Sequence, residues 1–76
     1  MGKYNVVGPK VRSLRKKRVW TQEQLAARLQ LNGCWVTREV VTNIENQRSG
    51  VTDFMLRGLA KVFKVPMEEF FPTEPE

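Results

Sequence analysis

Apolar residues recur along this 76-residue chain at helical spacing, and no stretch alternates long enough to suggest a strand. Val7, Val11 and Leu14 fall at i, i+4 and i+7, which predicts a helix from Pro9 to Arg18. Gly8-Pro9 punctuates its start, and proline suits a first turn. Leu25 and Leu29 predict a second helix after Thr21, a good N-cap whose Gln24 completes a capping box. Ala26 and Ala27 leave room for a neighbour to approach. Trp20, between these two helices, is expected to plug the core. Thr37 caps a third helix carrying Val40, Val41 and Ile44; these three β-branched apolar residues give it poor intrinsic propensity, so it must rely on packing. Thr52 caps a fourth, with Leu56, Leu59, Ala60 and Phe63 as its stripe, Met55 and Val62 at the margins, and Gly58 allowing a close backbone contact. Val65-Pro66 ends that run, and Met67 to Phe71 predicts one more short turn.

This pattern divides the chain into a flexible lead-in over 1–7, an all-α domain over 8–71 and an acidic tail over 72–76. The segment Gln30 to Val36 is longer than a tight turn needs, and Asn32-Gly33 marks a turn within it. Trp35 has two readings: it folds back onto the domain, or it extends a surface that faces a partner. The first is favoured.

Charge narrows the partner. All 13 Lys and Arg lie in residues 1–64 with only Glu23, Glu39, Glu45 and Asp53 against them, a net of +9, while the last twelve residues carry −4. The tail thus masks a basic body suited to an anionic partner. The first helix contributes Lys10, Arg12, Arg15, Lys16 and Lys17 on its polar face. These serve equally as a solvated face or as phosphate contacts.

Other chemistry finds few candidates. The chain has one cysteine and no histidine, which leaves no Ser-His or Cys-His pair and no set of zinc ligands. Cys34, beside Trp35, is read as a small packed residue. No run approaches a membrane span of about 20 residues, and the N-terminus does not read as a signal peptide. No cofactor, metal, membrane or small-molecule substrate is expected, no enzyme activity is expected, and the expected location is the cytoplasm. On the third helix Val41 and Ile44 turn inward, which leaves Arg38, Glu39, Thr42 and Asn43 outward. These residue types can read bases: Arg binds guanine, Asn adenine, Glu cytosine, and Thr is adaptable. A helix about 10–12 Å across fits a major groove of about 12 Å. The free N–H groups at the start of the second helix suit a phosphate.

The sequence resembles the helix-turn-helix domains of the Cro and lambda-repressor type. The matching residues are Val7-Gly8, Val11, Leu14-Arg15-Lys16, Thr21-Gln22-Glu23-Gln24-Leu25-Ala26, Leu29, Val41, Ile44-Glu45-Asn46, Leu59-Ala60-Lys61 and Phe70-Phe71. The resemblance implies a compact five-helix bundle and a small, repressor-like regulator that binds double-stranded DNA sequence-specifically, its third helix in the major groove. It implies base reading by Arg38, Glu39, Thr42 and Asn43. Phosphate contacts would fall to Gln22 and Thr21 at the start of the second helix, to Thr37, to Asn46, Gln47 and Arg48 after the third, and diffusely to Lys16 and Lys17. It also implies a homodimer on two half-sites, for which Phe70, Phe71 and Met67 are candidates; both phenylalanines could instead cap the bottom of the core, the reading favoured for Phe70. Two departures stand out. About five residues, Leu31 to Trp35, are extra, with Gln30 where the family has glycine. Val19 also stands where glycine is usual. The rival class is a protein-interaction module on the same fold, such as an antitoxin or a phage or plasmid accessory protein.

Overall fold

Helices form where the apolar spacing places them. The structure is a computed structural model that describes residues 3–72. Met1, Gly2 and tail residues 73–76 lie outside the described residues. The order is α1 (Gly8–Lys17), α2 (Gln22–Leu31), α3 (Arg38–Glu45), α4 (Asp53–Phe63) and a single 3₁₀ turn (Met67–Phe70). The expected five-helix bundle is therefore four α-helices and one short 3₁₀ turn, with no strand among the described residues.

The predicted stripes meet in one core. Val7, Val11 and Leu14 of the first stripe, Leu25, Ala26 and Leu29 of α2, Val41 and Ile44 of α3, and Leu59 and Phe63 of α4 are all buried. Phe70 closes the bottom and is fully buried, as its reading as a core cap requires. α3 packs against both α1 and α2, so the helix with the weakest propensity has two neighbours to hold it. Gly58 is buried, and a Cβ there would stand 3.2 Å from the Cys34 Cβ, which brings α4 tightly against the linker. Trp20 is half-buried rather than a full plug. It stacks on Phe63 at 5.5 Å between centroids, and Arg28 covers its outer side at 4.2 Å.

The lead-in contributes bonds to the domain. Asn5 Oδ1 accepts from the backbone N–H groups of Val7 and Gly8, at 3.0 and 2.7 Å, and so serves the start of α1, whose N-cap Val7 has no side-chain acceptor. Asn5 Nδ2 donates to the carbonyls of Ile44 and Ser49. The Tyr4 N–H donates to Gln47 O at 3.1 Å. These bonds tie residues 4 and 5 across the C-terminal end of α3, although the sequence reading leaves the segment as a frayed lead-in.

One device ends all four helices. The residue after each last turn adopts the left-handed conformation: Val19 at φ 59, Gly33 at φ 81, Gln47 at φ 61 and Lys64 at φ 59. The following N–H then closes back on the last turn, as in Trp20 N to Arg15 O, Cys34 N to Leu29 O, Arg48 N to Asn43 O and Val65 N to Ala60 O, all between 2.8 and 3.1 Å. Only one of the four is glycine. Val19 is the costly member, because a β-branched side chain crowds the backbone there. Its side chain is 86% exposed, so removing it forfeits little packing. Val19→Gly is expected to stabilise the domain by about 1 kcal/mol, read as a higher urea midpoint with unchanged slope. An unchanged or lower midpoint would show that the left-handed valine carries no strain.

The lengthened linker is resolved by the same device. α2 continues through Gln30 to Leu31, and Gly33 makes the turn that follows it. Gln30 is helical, and its Nε2 donates to Val36 O at 2.7 Å. The extra residues thus lengthen a helix and add a short extended segment, rather than a loose loop.

Candidate nucleic-acid interface

The α2–α3 pair is joined by a hydrogen-bond chain that starts in α1. Arg15 and Glu45 both occupy stripe positions: Arg15 follows Val11 by four residues, and Glu45 follows Val41 by four. They form a fork-to-fork pair, Nε to Oε2 at 2.6 Å and Nη2 to Oε1 at 3.0 Å. The side chains are 11% and 2% exposed, so Glu45 is buried and Arg15 is largely withdrawn from solvent. Arg15 Nη1 also donates to Trp20 O at 2.8 Å. The hydrogen bond that Arg15 donates to Glu45, opposed by burial and helped by the carboxylate charge, raises the Arg15 pKa further. Arg15 is therefore not part of a solvated cationic face, as its place among the α1 bases suggests. A charged residue on an apolar stripe was the signal that Arg15 and Glu45 pair.

From Glu45 the chain runs outward. Gln22 Nε2 donates to Glu45 Oε1 at 3.1 Å, and Thr42 Oγ1 donates to Gln22 Oε1 at 2.7 Å. Gln22, expected at a phosphate, thus spends its oxygen and one N–H inside the protein and keeps one N–H. Thr21 caps α2 through Gln24 N at 3.0 Å, with the reciprocal bond from Thr21 N to Gln24 Oε1 at 2.8 Å, so the capping box forms as expected. Thr37 caps α3 by accepting from Val40 N at 3.3 Å.

The structure brings part of the expected site together. Arg38, Glu39, Thr42 and Asn43 all lie on α3 away from its buried Val41, Ile44 and Glu45; Arg38 and Glu39 are exposed, and Thr42 and Asn43 are half-buried. Thr21 and Gln22 at the start of α2 lie beside them through the Gln22–Thr42 bond. Asn46 and Arg48 are exposed at the other end of α3. Gln47 differs: its side chain donates to Asn5 O at 3.0 Å and is half-buried. Lys16 and Lys17 are exposed in the last turn of α1. Three other bases are occupied. Lys10 pairs with Glu69 at 3.3 Å, Arg18 donates to Phe63 O at 2.7 Å, and Arg28 covers Trp20.

Trp35 corrects the favoured expectation. It is 83% exposed, while Cys34 and Val36 on either side are buried. An extended segment points successive side chains to opposite sides, so burying residues 34 and 36 turns 35 outward. Cys34 is packed as expected, and burial pushes its thiol pKa up, away from the direction an activated nucleophile needs.

Residues 11–70 match the family described as helix-turn-helix. The chain is a member of the helix-turn-helix family. Among helix-turn-helix proteins it is similar to the competence pilus inhibition repressor of Acinetobacter baylyi, with 34% identity over 65 residues that cover 86% of this chain. The chain spans about half of that relative, 54% of its length. Its fold is similar to the restriction-modification controller protein C.AhdI of Aeromonas hydrophila, with a TM-score of 0.75 and 25% identity over 86% of this chain and 87% of that one. It is likewise similar to the DNA-binding domain of BldD, with a TM-score of 0.74 and 26% identity over 95% of this chain and all of that one. The resemblance to Cro and lambda-repressor domains seen in the sequence stands, and the lengthened α2–α3 linker leaves the fold intact.

Proposed function

We propose that this helix-turn-helix protein binds double-stranded DNA sequence-specifically and acts as a small transcriptional regulator, with α3 in the major groove. The observation that carries this reading is the outward face of α3. Arg38, Glu39, Thr42 and Asn43 stay in reach of water because Val41, Ile44 and Glu45 are anchored inside. The relatives' printed descriptions, a repressor, a controller protein and a DNA-binding domain, support the same reading. In it, Arg38, Glu39, Thr42 and Asn43 meet base edges. Thr21, Thr37, Asn46, Arg48, Lys16 and Lys17 meet phosphates, with the remaining N–H of Gln22. Gln47 contributes through the backbone it turns at the end of α3. The cell compartment is the cytoplasm, where such DNA lies. Among the described residues no helix is long and apolar enough to cross a membrane.

Duplex binding is expected to weaken with salt at a log–log slope of about −4 to −5, from roughly 4–6 phosphates neutralised per protomer. Fluorescence anisotropy on a mixed duplex pool measures it. Arg38→Ala should relax sequence preference at one base pair, whereas Lys16→Ala should weaken all sequences alike and make the slope shallower by about 1. No binding at low salt would sink the reading, and an unchanged selected-site profile for Arg38→Ala would sink the base-reading assignment.

A dimer on two half-sites is part of this proposal, with Met67 and Phe71, 40% and 49% exposed, as the surface. The second reading, a protein-interaction module on the same fold, draws on a different observation: Leu31, Trp35 and Phe54 are 87%, 83% and 61% exposed.

A further inference from the structure

We infer that Thr42 reads its base pair as a hydrogen-bond acceptor only, and that Gln22 sets this polarity from inside the protein. The inference rests on the DNA reading above and specifies what that face selects.

The argument begins at Glu45. Its carboxylate is held by two N–H groups of a protonated arginine, so both oxygens act as acceptors. Gln22 faces Oε1 and can meet an acceptor only with its NH₂ end, which settles the amide orientation. That orientation turns the Gln22 carbonyl oxygen toward Thr42. The Thr42 hydroxyl must then donate, and it does so at 2.7 Å. Its other neighbour inside the protein, Arg38 O at 3.0 Å, is also an acceptor. A hydroxyl has one hydrogen, and both internal partners claim it. What remains for an outside partner is a lone pair and the methyl group.

A lone pair favours a base edge that donates. In the major groove those are the N6 amine of adenine and the N4 amine of cytosine. Guanine offers only N7 and O6, both acceptors, and would face Thr42 lone pair to lone pair. Arg38 has the opposite character, since a guanidinium only donates and suits guanine. Two residues one helical turn apart thus carry opposite hydrogen-bond polarity. The polarity of Thr42 is imposed by a chain that crosses three helices. Gln22 is then a positioning residue for specificity as well as a candidate phosphate contact.

The test is selection from a random duplex library with the full chain, followed by sequencing, for wild type and three variants. Wild type should enrich one base pair in a single orientation at the position that Thr42→Val alters. Thr42→Val keeps the shape and methyl but has no lone pair, and should lose that preference by about three- to tenfold, leaving other positions unchanged. Thr42→Ser keeps the hydroxyl and should retain it. Gln22→Met leaves the hydrogen to Arg38 O alone and should relax the preference at that same base pair, by a smaller factor. Thermal melts in parallel separate these effects from unfolding, and a merely structural role would weaken all sequences together. A profile unchanged in Thr42→Val, or a base-pair preference that Thr42→Val abolishes and Gln22→Met leaves wholly untouched, would overturn the inference while leaving DNA binding standing. Failure of wild type to enrich any duplex would instead overturn the DNA reading itself.

Discussion

Glu45→Ala is expected to cost about 3–5 kcal/mol of folding stability, because it leaves the Arg15 charge buried without its partner. A domain of this size has roughly 4–11 kcal/mol in all, so the variant should be partly unfolded at modest temperature. The loss spreads through the structure along identifiable bonds. Arg15 would keep only Trp20 O, and Gln22 would lose the acceptor that orients its amide. Replacing both partners, Arg15→Met with Glu45→Met, should recover much of the stability, since a buried pair exchanged for apolar groups of similar size is often neutral. Urea unfolding of the two single variants and the double variant measures this as a double-mutant cycle. A single-variant cost below about 1 kcal/mol would show the pair to be no stronger than a surface bridge. The pH behaviour has a definite sign. A raised Arg15 pKa contributes stability that is complete below arginine's ordinary value and fades only as the pH rises through the raised one. Mild alkali should therefore leave this contribution intact.

Gly8→Ala is expected to destabilise by about 3 kcal/mol, at the upper end of what one added methyl costs in a packed interior. The reason is steric. A Cβ at Gly8 would collide with the Ile44 carbonyl oxygen and press the Glu45 carbonyl at 3.1 Å and Asn5 Oδ1 at 3.2 Å. The first two are backbone atoms at the end of α3 and cannot swing aside as a long side chain can. Gly8 is not in a left-handed conformation, so the requirement is space, not backbone freedom. Alanine would otherwise favour the helix slightly, which sharpens the sign of the test. A calorimetric melt should show a fall of roughly 12 °C or more for a domain of this length. A change of a degree or two would mean that α1 and α3 part easily. That would in turn weaken the view that α1, through Gly8 and Arg15, holds α3 in place.

Both predictions concern α3, whose own sequence is a poor helix. Val40, Val41 and Ile44 place it in the chain, and Thr37 caps it, but eight residues with four β-branched side chains do not hold a helix alone. Tertiary contacts supply the rest: Val41 and Ile44 in the core, Glu45 on Arg15, and Asn5 across the carbonyls at its end.

The sequence by itself determined the four α-helices and the last turn, the capping box, the apolar stripes, the basic body and the family resemblance. These follow from periodicity and local chemistry, which need only neighbours within a turn or two. Tertiary structure alone decided three things. Arg15 and Glu45 pair across 30 residues, so a base counted with the cations of the first helix is turned inward. Trp35 faces outward because Cys34 and Val36 both find the core, which no local pattern reveals. Thr42 and Gln22 share one hydrogen, so a residue legible as a base reader acquires a polarity that its side chain alone does not possess. In each case the deciding partner lies on another helix, and a hydrogen bond or buried charge depends on that partner's position in space, not on spacing along the chain.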